Sequence, residues 1–540
     1  MNRHRTALTA TKSLDVESQK WRASTQASFG PRTYFLCTPR QWLVAIGLGL
    51  AVCALAWPWY KEISCWIGAT VLLMTITAVH MAFAARAFVP FPHVAMLITG
   101  LQYVLAAWLA YYFPPADPTY DIGTRLPAYL SFGAVATIAC ALGWSLTLPV
   151  KQGQAQPECS ASPRLLGELD VLFWFGMVSG ALGRFVAIES LSFVLVLCAN
   201  LRYLGVIGRM LVDGPGWKWR VVLTIFMEIL LATNTAMFHS LLLWSLSVFV
   251  VYLYRFRPPK RFLFASLCAA GLLLPALQQA KWRLREPVAS FAPLESSSAE
   301  PQASLKALEN VWSWVTYLGE GVYSTATGSW DSDFLADAAT RYNQGWIINR
   351  VMQFVPADEP YARGETLITA AKASLLPRLL AHEKHVAGGK LYMERFAGIR
   401  LAENTSMNLG YAGELYANFG YFGGIVGCFL YAVVLGLAFR WVASRASRSP
   451  LWWMFVPYVG AIAFKAEEGV AEVLNWIVKA AIVAAAVYWA FPAMRANLSR
   501  KAGTPETQLP RRRSESFRKH GERTGRTVSP RKGDPRPETP

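Results

Sequence analysis

The chain has 540 residues, 54% of them hydrophobic and only 16% charged, and its mean hydropathy is +0.28. This composition excludes a disordered chain, and the long apolar runs exclude an ordinary soluble protein. The formal net charge of +18 is large, but most of it lies at the two ends of the chain.

Residues 1–40 form a basic segment with seven Lys or Arg and two acidic residues, a net charge of +5. Residues 492–540 form a second basic segment; from residue 494 onward it has 13 Lys or Arg and five acidic residues, a net charge of +8. Its polar, Pro-rich composition predicts a disordered tail. Anionic lipid at the cytoplasmic membrane surface accounts for basic ends of this kind, so we expect no nucleic-acid partner.

Apolar runs of about 17 to 25 residues are long enough to cross roughly 30 Å of hydrocarbon. The sequence contains nine such runs in residues 41–279 and three in residues 410–491. We therefore predict an all-α, polytopic membrane protein with about 12 transmembrane helices. The predicted spans are 41–58, 63–85, 93–113, 127–149, 170–187, 189–206, 220–236, 237–254, 262–279, 419–440, 451–466 and 470–491.

Lys and Arg are concentrated in alternate connections between these spans, the pattern that orients a chain toward the cytoplasm. It predicts that both termini, and the connections carrying these residues, are cytoplasmic. The arginines concerned include Arg86, Arg164, Arg202, Arg209, Arg220, Arg255, Arg440, Arg445 and Arg448.

One large loop, residues 280–409, then lies outside the membrane on the opposite side. It has 13 Lys or Arg and 14 Asp or Glu, and its periodicity predicts helices at 303–325, 333–354 and 365–380. None of the eight cysteines falls in this loop, and no metal-binding spacing is present. We expect no disulfide framework, metal or cofactor.

The stretch from Asn408 to Gly427, NLGYAGELYANFGYFGGIVG, leads into the tenth predicted span. Small residues at Gly413, Ala417, Gly420, Gly424 and Gly427 step by four and three and so form one smooth stripe along a helix, which lets a neighbouring helix approach closely. Glu414, Asn418 and Tyr421 form the adjoining stripe. The carboxylate of Glu414 has two alternative roles. It is either a general base at the membrane boundary or a structural group that caps a helix and hydrogen-bonds to its neighbours.

Four motifs occur in order: an Arg-bearing helix near residue 350, a turn with Tyr361 and Gly364, a Pro377-Arg378 pair followed by Lys384, and a Gly-Glu-x-Tyr-x-Asn-Phe-Gly run from Gly413 to Gly420. Together they resemble the bacterial oligosaccharide repeat-unit polymerases, the O-antigen polymerase family. The resemblance covers about residues 330–440. It departs from the family at Lys384, which precedes His385 where proline is common.

The resemblance implies a metal-independent membrane glycosyltransferase of the cell inner membrane. Its substrate is undecaprenyl-diphosphate-linked glycan, and it joins repeat units into O-antigen, capsule or exopolysaccharide at the outer face. The implied partners are the lipid bilayer and, in the same pathway, a chain-length regulator and a flippase.

Such a reaction needs fixed cations for the leaving lipid diphosphate and a group that accepts the proton of the attacking hydroxyl. Among the cations, Arg378 and Arg350 are the first candidates, with Glu414 as the catalytic carboxylate and His382 and His385 as further bases. Candidates for substrate binding are Arg341, Lys384, Arg184, Asn418, Arg395 and Arg400. The alternative is that each arginine pairs with a carboxylate such as Asp337 or Glu365. For Arg395 and Arg400, which are close to the membrane, contact with lipid headgroups is a further alternative.

The last span carries polar residues at helical spacing: Glu468, Glu472, Asn475 and Lys479. Ionisable groups inside a membrane find partners in the bundle, and Glu228 in the seventh predicted span is the expected partner of Lys479. Arg184 has two alternative roles, which are binding the diphosphate and pairing with Glu189.

Three other functions remain open from the sequence. An O-antigen ligase uses the same donor but a different acceptor. A lipid-linked-glycan flippase or other transporter would spread charged residues over many spans, whereas here they are concentrated in one loop. A membrane scaffold would use the loop only for binding.

Overall fold

The computed structural model describes residues 64–84, 88–115, 118–149, 161–183, 189–235, 238–289, 303–329, 339–375, 389–401 and 407–499, with short pieces at 43, 46–51, 53–54 and 336. Within these ranges every regular element is a helix. In chain order the helices are α1 Ser64–Ala84, α2 Phe91–Tyr112, α3 Leu126–Thr147, α4 Pro163–Leu182, α5 Glu189–Ala199, α6 Leu201–Leu211, α7 Trp217–Thr235, α8 His239–Phe256, α9 Lys260–Ala289, α10 Ala303–Thr327, α11 Gly345–Phe354, α12 Glu365–Leu375, α13 Lys390–Ala397, α14 Gly410–Ala446, α15 Pro450–Phe464, α16 Val470–Ala490 and α17 Pro492–Leu498.

Nine helices in the described part of the chain are long and apolar enough to cross a membrane, so the protein is an all-α, multi-pass membrane protein. These spans are Cys65–Ala82, Phe91–Tyr112, Leu126–Thr147, Pro163–Leu182, Phe193–Leu211, His239–Phe256, Arg261–Gln278, Gly410–Ala446 and Val470–Ala490. Of the three other predicted spans, half of 41–58 lies outside the described residues, and α15 is apolar but short. The third, α7, forms as a helix that carries Arg220 and Glu228. The count of twelve stays a prediction.

The arginines expected in cytoplasmic connections between α5 and α7 lie instead on helices and are buried. Arg202 and Arg209 belong to α6, and Arg220 belongs to α7. Arg209 and Arg220 both pair with Asp170 of α4, Arg220 Nη2 lying 2.7 Å from its carboxylate. Helix α6 approaches α4 closely because the two meet at glycines. The placement of these arginines in solvated connections was wrong, because they lie on helices and find carboxylate partners inside the bundle. That this end of the bundle is cytoplasmic stays a prediction.

The expected pairing of Glu228 with Lys479 is also wrong. Glu228 pairs with Arg202, and its carboxylate accepts a hydrogen bond from the Tyr203 hydroxyl at 2.8 Å. The ammonium group of Lys479 lies 4.3 Å from the centre of the Phe193 ring. The prediction paired Glu228 with Lys479 because both were expected near the middle of their spans. In the structure α6 packs beside α7, and this brings Arg202 to Glu228 instead.

Helix α14 is two helices that fold back on each other at Gly420. Gly420 has φ 70° and ψ −162°, which interrupts the helix. The rings of Tyr411 and Tyr431 stack with centroids 4.6 Å apart, although 20 residues of straight helix would separate them by about 30 Å. A Cβ on Gly424 would lie 3.2 Å from the Cα of Tyr416. We call residues 410–419 α14a and residues 421–446 α14b.

The single smooth stripe of small residues is therefore wrong, because the chain reverses in its middle. Gly413 in α14a faces Ile348 of α11, whereas Gly424 in α14b faces Phe132 of α3. Helix α14b runs parallel to α3, from Phe132 beside Gly424 to Thr147 beside Gly436.

Helices α11 and α13 stand at the end of the bundle where α3 begins and α14 reverses, which we call the loop end, whereas α10 packs along α9 and α7. The predicted loop helices are largely confirmed, as α10, α11 and α12. Helix α11 packs against α14 and α3, and α12 packs along α16. This arrangement brings segments far apart in sequence to the residues of α14a.

Candidate functional site

Glu414 lies in α14a with 1% of its surface exposed, and its carboxylate joins three segments. One oxygen accepts from the Thr366 hydroxyl of α12 at 2.8 Å, and the other accepts from the backbone N–H of Val470 at 2.7 Å. Val470 is the first residue of α16, so the carboxylate satisfies an N–H that the helix itself leaves open and faces the positive end of the helix dipole. This geometry corresponds to the capping alternative for Glu414.

Asn418, one turn after Glu414, is also buried and uses its whole amide. Its side-chain oxygen accepts from the Gly364 N–H at 2.9 Å, and its side-chain nitrogen donates to the Thr366 hydroxyl at 2.7 Å and to the Glu414 carbonyl at 2.8 Å. The Gly-Glu-x-Tyr-x-Asn-Phe-Gly run thus holds the turn at residues 361–364 and the start of α12. We call Glu414, Asn418 and Thr366 the buried clamp.

The break at Gly420 explains how the turn attaches to α14a. Because the helix stops there, the carbonyls of Ala417 and Asn418 accept from outside it. They receive the backbone N–H groups of Ala362 and Arg363, both at 3.0 Å. Tyr361 covers the break, since a Cβ on Gly420 would lie 3.1 Å from its ring.

Arg363 is a residue that the sequence reasoning missed. Its backbone has φ 50°, a conformation that non-glycine residues rarely adopt, yet its side chain is exposed. Strained residues of this kind persist where the surroundings fix them, and they cluster at binding sites. Within the described residues its guanidinium forms no ion pair. The motif formed by Tyr361 and Gly364 predicted the turn, but it did not indicate that Arg363 within the turn has a role.

The predicted cations of the loop fall into two groups. Arg395 of α13 is neutralised: it binds Glu365 in bidentate fashion at 2.9 and 3.0 Å and Glu359 at 2.6 Å. Hydrogen bonds to Glu365 and then Glu359 raise the pKa of Arg395 above its ordinary value. Arg400 pairs with Glu394, both largely exposed. These contacts correspond to the ion-pair alternative.

Arg350 and Arg341 form the second group, with exposed side chains. The Nε of Arg350 donates to the carbonyl of Ala397 at 3.1 Å, so the cation is tied to the end of α13 while part of its fork remains exposed. Together with Arg363, these residues give the loop end three exposed guanidinium groups on helices or on a fixed turn.

A second polar cluster lies beside the clamp. Glu468 pairs with Lys465 at 2.7 Å and accepts from the side chain of Asn408 at 2.7 Å. Burial is the main reason that the pKa of Tyr392 in α13 rises to about 12, and the carboxylates of Glu414 and Glu472 raise it further. The loop end thus buries Glu414 and most of Glu468, and its exposed surface carries both arginines and carboxylates such as Asp358 and Glu365.

Several predicted residues lie outside the described part of the chain. They are Arg184, Arg378, Lys384, His382 and His385. Among the described candidates, the structure brings Glu414 and Asn418 into one clamp and places Arg395 in an ion-pair group next to it.

The fold and this site define a multi-pass, all-helical membrane protein with a polar centre at one end of its bundle. No family model, curated protein or solved structure matches the chain. The chemistry must therefore be argued from the site. Exposed arginines held on rigid backbone suit an anionic group such as a phosphate or diphosphate, and the apolar spans beside them suit a lipid that carries it.

Proposed function

We propose that the protein is a glycosyltransferase that polymerises undecaprenyl-diphosphate-linked repeat units at the outer face of the bacterial inner membrane. The large loop is then periplasmic, both termini are cytoplasmic, and the product is O-antigen, capsule or exopolysaccharide. A chain-length regulator and a flippase would act in the same pathway.

One observation carries the proposal: the run from Gly413 to Gly420 acts as a unit that fixes the turn bearing Arg363. The same run and turn carry the resemblance to the polymerase family. A structural role for Glu414 and Asn418 fits this reading, because an active site needs a rigid shell behind the groups that touch substrate. The buried clamp is that shell, and Arg363 and Arg350 are the groups in front of it.

In this mechanism the arginines bind the diphosphate of the donor and stabilise the negative charge that develops as the glycan leaves. The incoming sugar hydroxyl attacks the anomeric carbon, the bond to the diphosphate breaks, and the hydroxyl proton passes to a base. Glu414 is enclosed by its partners, so His382, His385 or another carboxylate of the loop is the better candidate for the base. Arg378 and Lys384 would add cations to the same anion.

The experiment supplies purified protein in liposomes with the lipid-linked repeat unit of its own host and measures the ladder of products. Wild type should form long chains. Arg363→Ala and Arg363→Lys should both lose roughly 30- to 1000-fold in rate, because a point charge does not replace a bidentate fork. Lys372→Ala is the matched control, an exposed cation on α12 outside the site.

The acceptor decides between the two transferase readings. Chains formed from lipid-linked units alone support the polymerase, whereas transfer only onto added lipid A core identifies an O-antigen ligase. Movement of the intact lipid-linked unit across the bilayer with no new glycosidic bond identifies a flippase and contradicts the proposal.

A further inference from the structure

An apolar groove of about 660 Å³ opens between α14b, α15 and α16. Small residues such as Ala438, Gly460 and Ala481 line it together with aromatic ones, and among the described lining residues Arg445 alone is charged. No part of this groove belongs to the site at the loop end. Gly420 and Arg445 are 25 residues apart on one helix, or about 37 Å, which exceeds the roughly 30 Å of a bilayer's hydrocarbon.

The length of the groove matches one leaflet. The lining residues of α14b run from Leu435 to Arg445, ten helical steps, which span about 15 Å, or half of the hydrocarbon thickness. The deep part is lined by apolar side chains, and Arg445 lies at the helix end. A cation at the mouth of an apolar slot one leaflet deep suits a lipid chain with an anionic headgroup.

Arg445 is positioned but not neutralised. Its guanidinium lies 3.5 Å from the Trp441 ring centre and 5.6 Å from the Trp452 ring centre, contacts that hold a cation without removing its charge. Within the described residues it forms no ion pair. Tryptophans at this position are also typical of the membrane–water boundary.

The surroundings of the mouth are cationic. Arg448 is exposed just beyond the end of α14b, and residues 421–466 and 473–499 contain no Asp or Glu. The carboxylate of Glu168 accepts the backbone N–H groups of Ala493 and Met494, at 2.8 and 2.7 Å, and so caps α17 and does not line the groove. An ammonium-bearing headgroup would meet repulsion here, whereas a headgroup with net negative charge would not.

We propose that this groove binds one acyl chain of an anionic phospholipid, whose phosphate pairs with Arg445. The site lies at the opposite end of the bundle from the proposed glycosyltransferase centre and does not depend on it. The lipid would fill the space between α14b and α16 and so support the helix from which α14a folds back.

Native mass spectrometry of delipidated protein, titrated with dioleoyl phosphatidylglycerol or dioleoyl phosphatidylcholine, tests the proposal. Wild type should bind one phosphatidylglycerol more tightly than phosphatidylcholine. Arg445→Gln should weaken phosphatidylglycerol binding roughly tenfold, the loss of one hydrogen bond to a charged group. Ala485→Phe should weaken binding of both lipids, because Ala485 lines the groove and is exposed enough to accept a ring.

Two control variants match these changes. Arg440→Gln removes an exposed cation of the same helix that does not line the groove, and Ala486→Phe adds a ring one residue away from the groove on α16. Both should bind phosphatidylglycerol as wild type does, and thermal unfolding verifies that every variant is folded. The proposal fails if Arg445→Gln binds phosphatidylglycerol normally, if phosphatidylcholine binds equally well, or if undecaprenyl phosphate displaces phosphatidylglycerol from the groove.

Discussion

The side-chain oxygen of Asn418 accepts the backbone N–H of Gly364 at 2.9 Å, which ties the loop to the membrane bundle. Asn418→Asp keeps this acceptor but loses the donor to Thr366 and to the Glu414 carbonyl. It also places a second carboxylate beside a buried one. We expect a loss of about 3 kcal/mol or more in unfolding free energy. Thermal unfolding in detergent measures it, and a variant as stable as wild type contradicts the clamp.

Arg363 allows stability and activity to be separated. Arg363→Gly relieves the positive φ, so the variant should be as stable as wild type or more stable by up to about 1 kcal/mol. It also removes the guanidinium, so product formation should fall as far as in Arg363→Ala. Unfolding temperature and polymer length are measured on the same preparations. Normal polymer from the stabilised glycine variant would remove Arg363 from the site.

Glu414→Gln tests whether the carboxylate is structural. Glutamine has one oxygen and a donor group, so one of the two donors, the Thr366 hydroxyl or the Val470 N–H, loses its acceptor. The expected loss is about 1 to 3 kcal/mol, seen as a lower unfolding temperature. Glu394→Gln, at a half-exposed ion pair, is the control and should change stability little. Full stability of Glu414→Gln with loss of activity would instead favour the general-base reading.

Gly420→Ala tests the reversal in α14. Alanine is strained at φ 70°, and its Cβ would lie 3.1 Å from the Tyr361 ring, so we expect a loss of about 1 to 3 kcal/mol. Gly271→Ala in α9 is the matched control: nothing lies within 4 Å of the added Cβ, and alanine should stabilise the helix by up to about 1 kcal/mol. Equal effects at the two positions would contradict a hairpin at Gly420.

The Arg202–Glu228 pair predicts strong coupling. Glu228→Gln or Arg202→Met alone leaves a buried charge without its partner and should cost about 3 to 5 kcal/mol. The double variant should recover much of that loss, which a double-mutant cycle of unfolding free energies measures. Lys479→Met should show no coupling to Glu228. Coupling with Lys479 instead of Arg202 would restore the pairing expected from the sequence.

Hydropathy and periodicity predicted most helices because burial in lipid and along a core leaves a direct trace in composition. Nine predicted spans and the loop helices α10 to α12 have counterparts in the structure. The reversal at Gly420 left no such trace. Five small residues at helical spacing suit a straight helix equally well, and only the partners of Ala417 and Asn418 show where it stops.

Partner choice among charged residues was also beyond the sequence. From the sequence, several cations could lie at the same depth in the membrane as Glu228. Arg202 is its partner because α6 packs closely on α4, and that close packing depends on Gly176 and Gly180. Arg363 was hidden for a related reason, since its importance comes from a backbone conformation imposed by Asn418, 55 residues later. The sequence shows which side chains are charged or polar, but it does not show the packing that gives each of these side chains its partner and its role.

The cap that Glu414 provides has a consequence for how the protein is made. Its two acceptor oxygens are satisfied by Thr366, synthesised earlier, and by Val470, synthesised 56 residues later. During translation α14a therefore carries a carboxylate without its final partner until α16 has left the ribosome. The loop end is therefore completed only when the start of α16 is available, and a chain ending before Val470 should be degraded even though most of its spans are present.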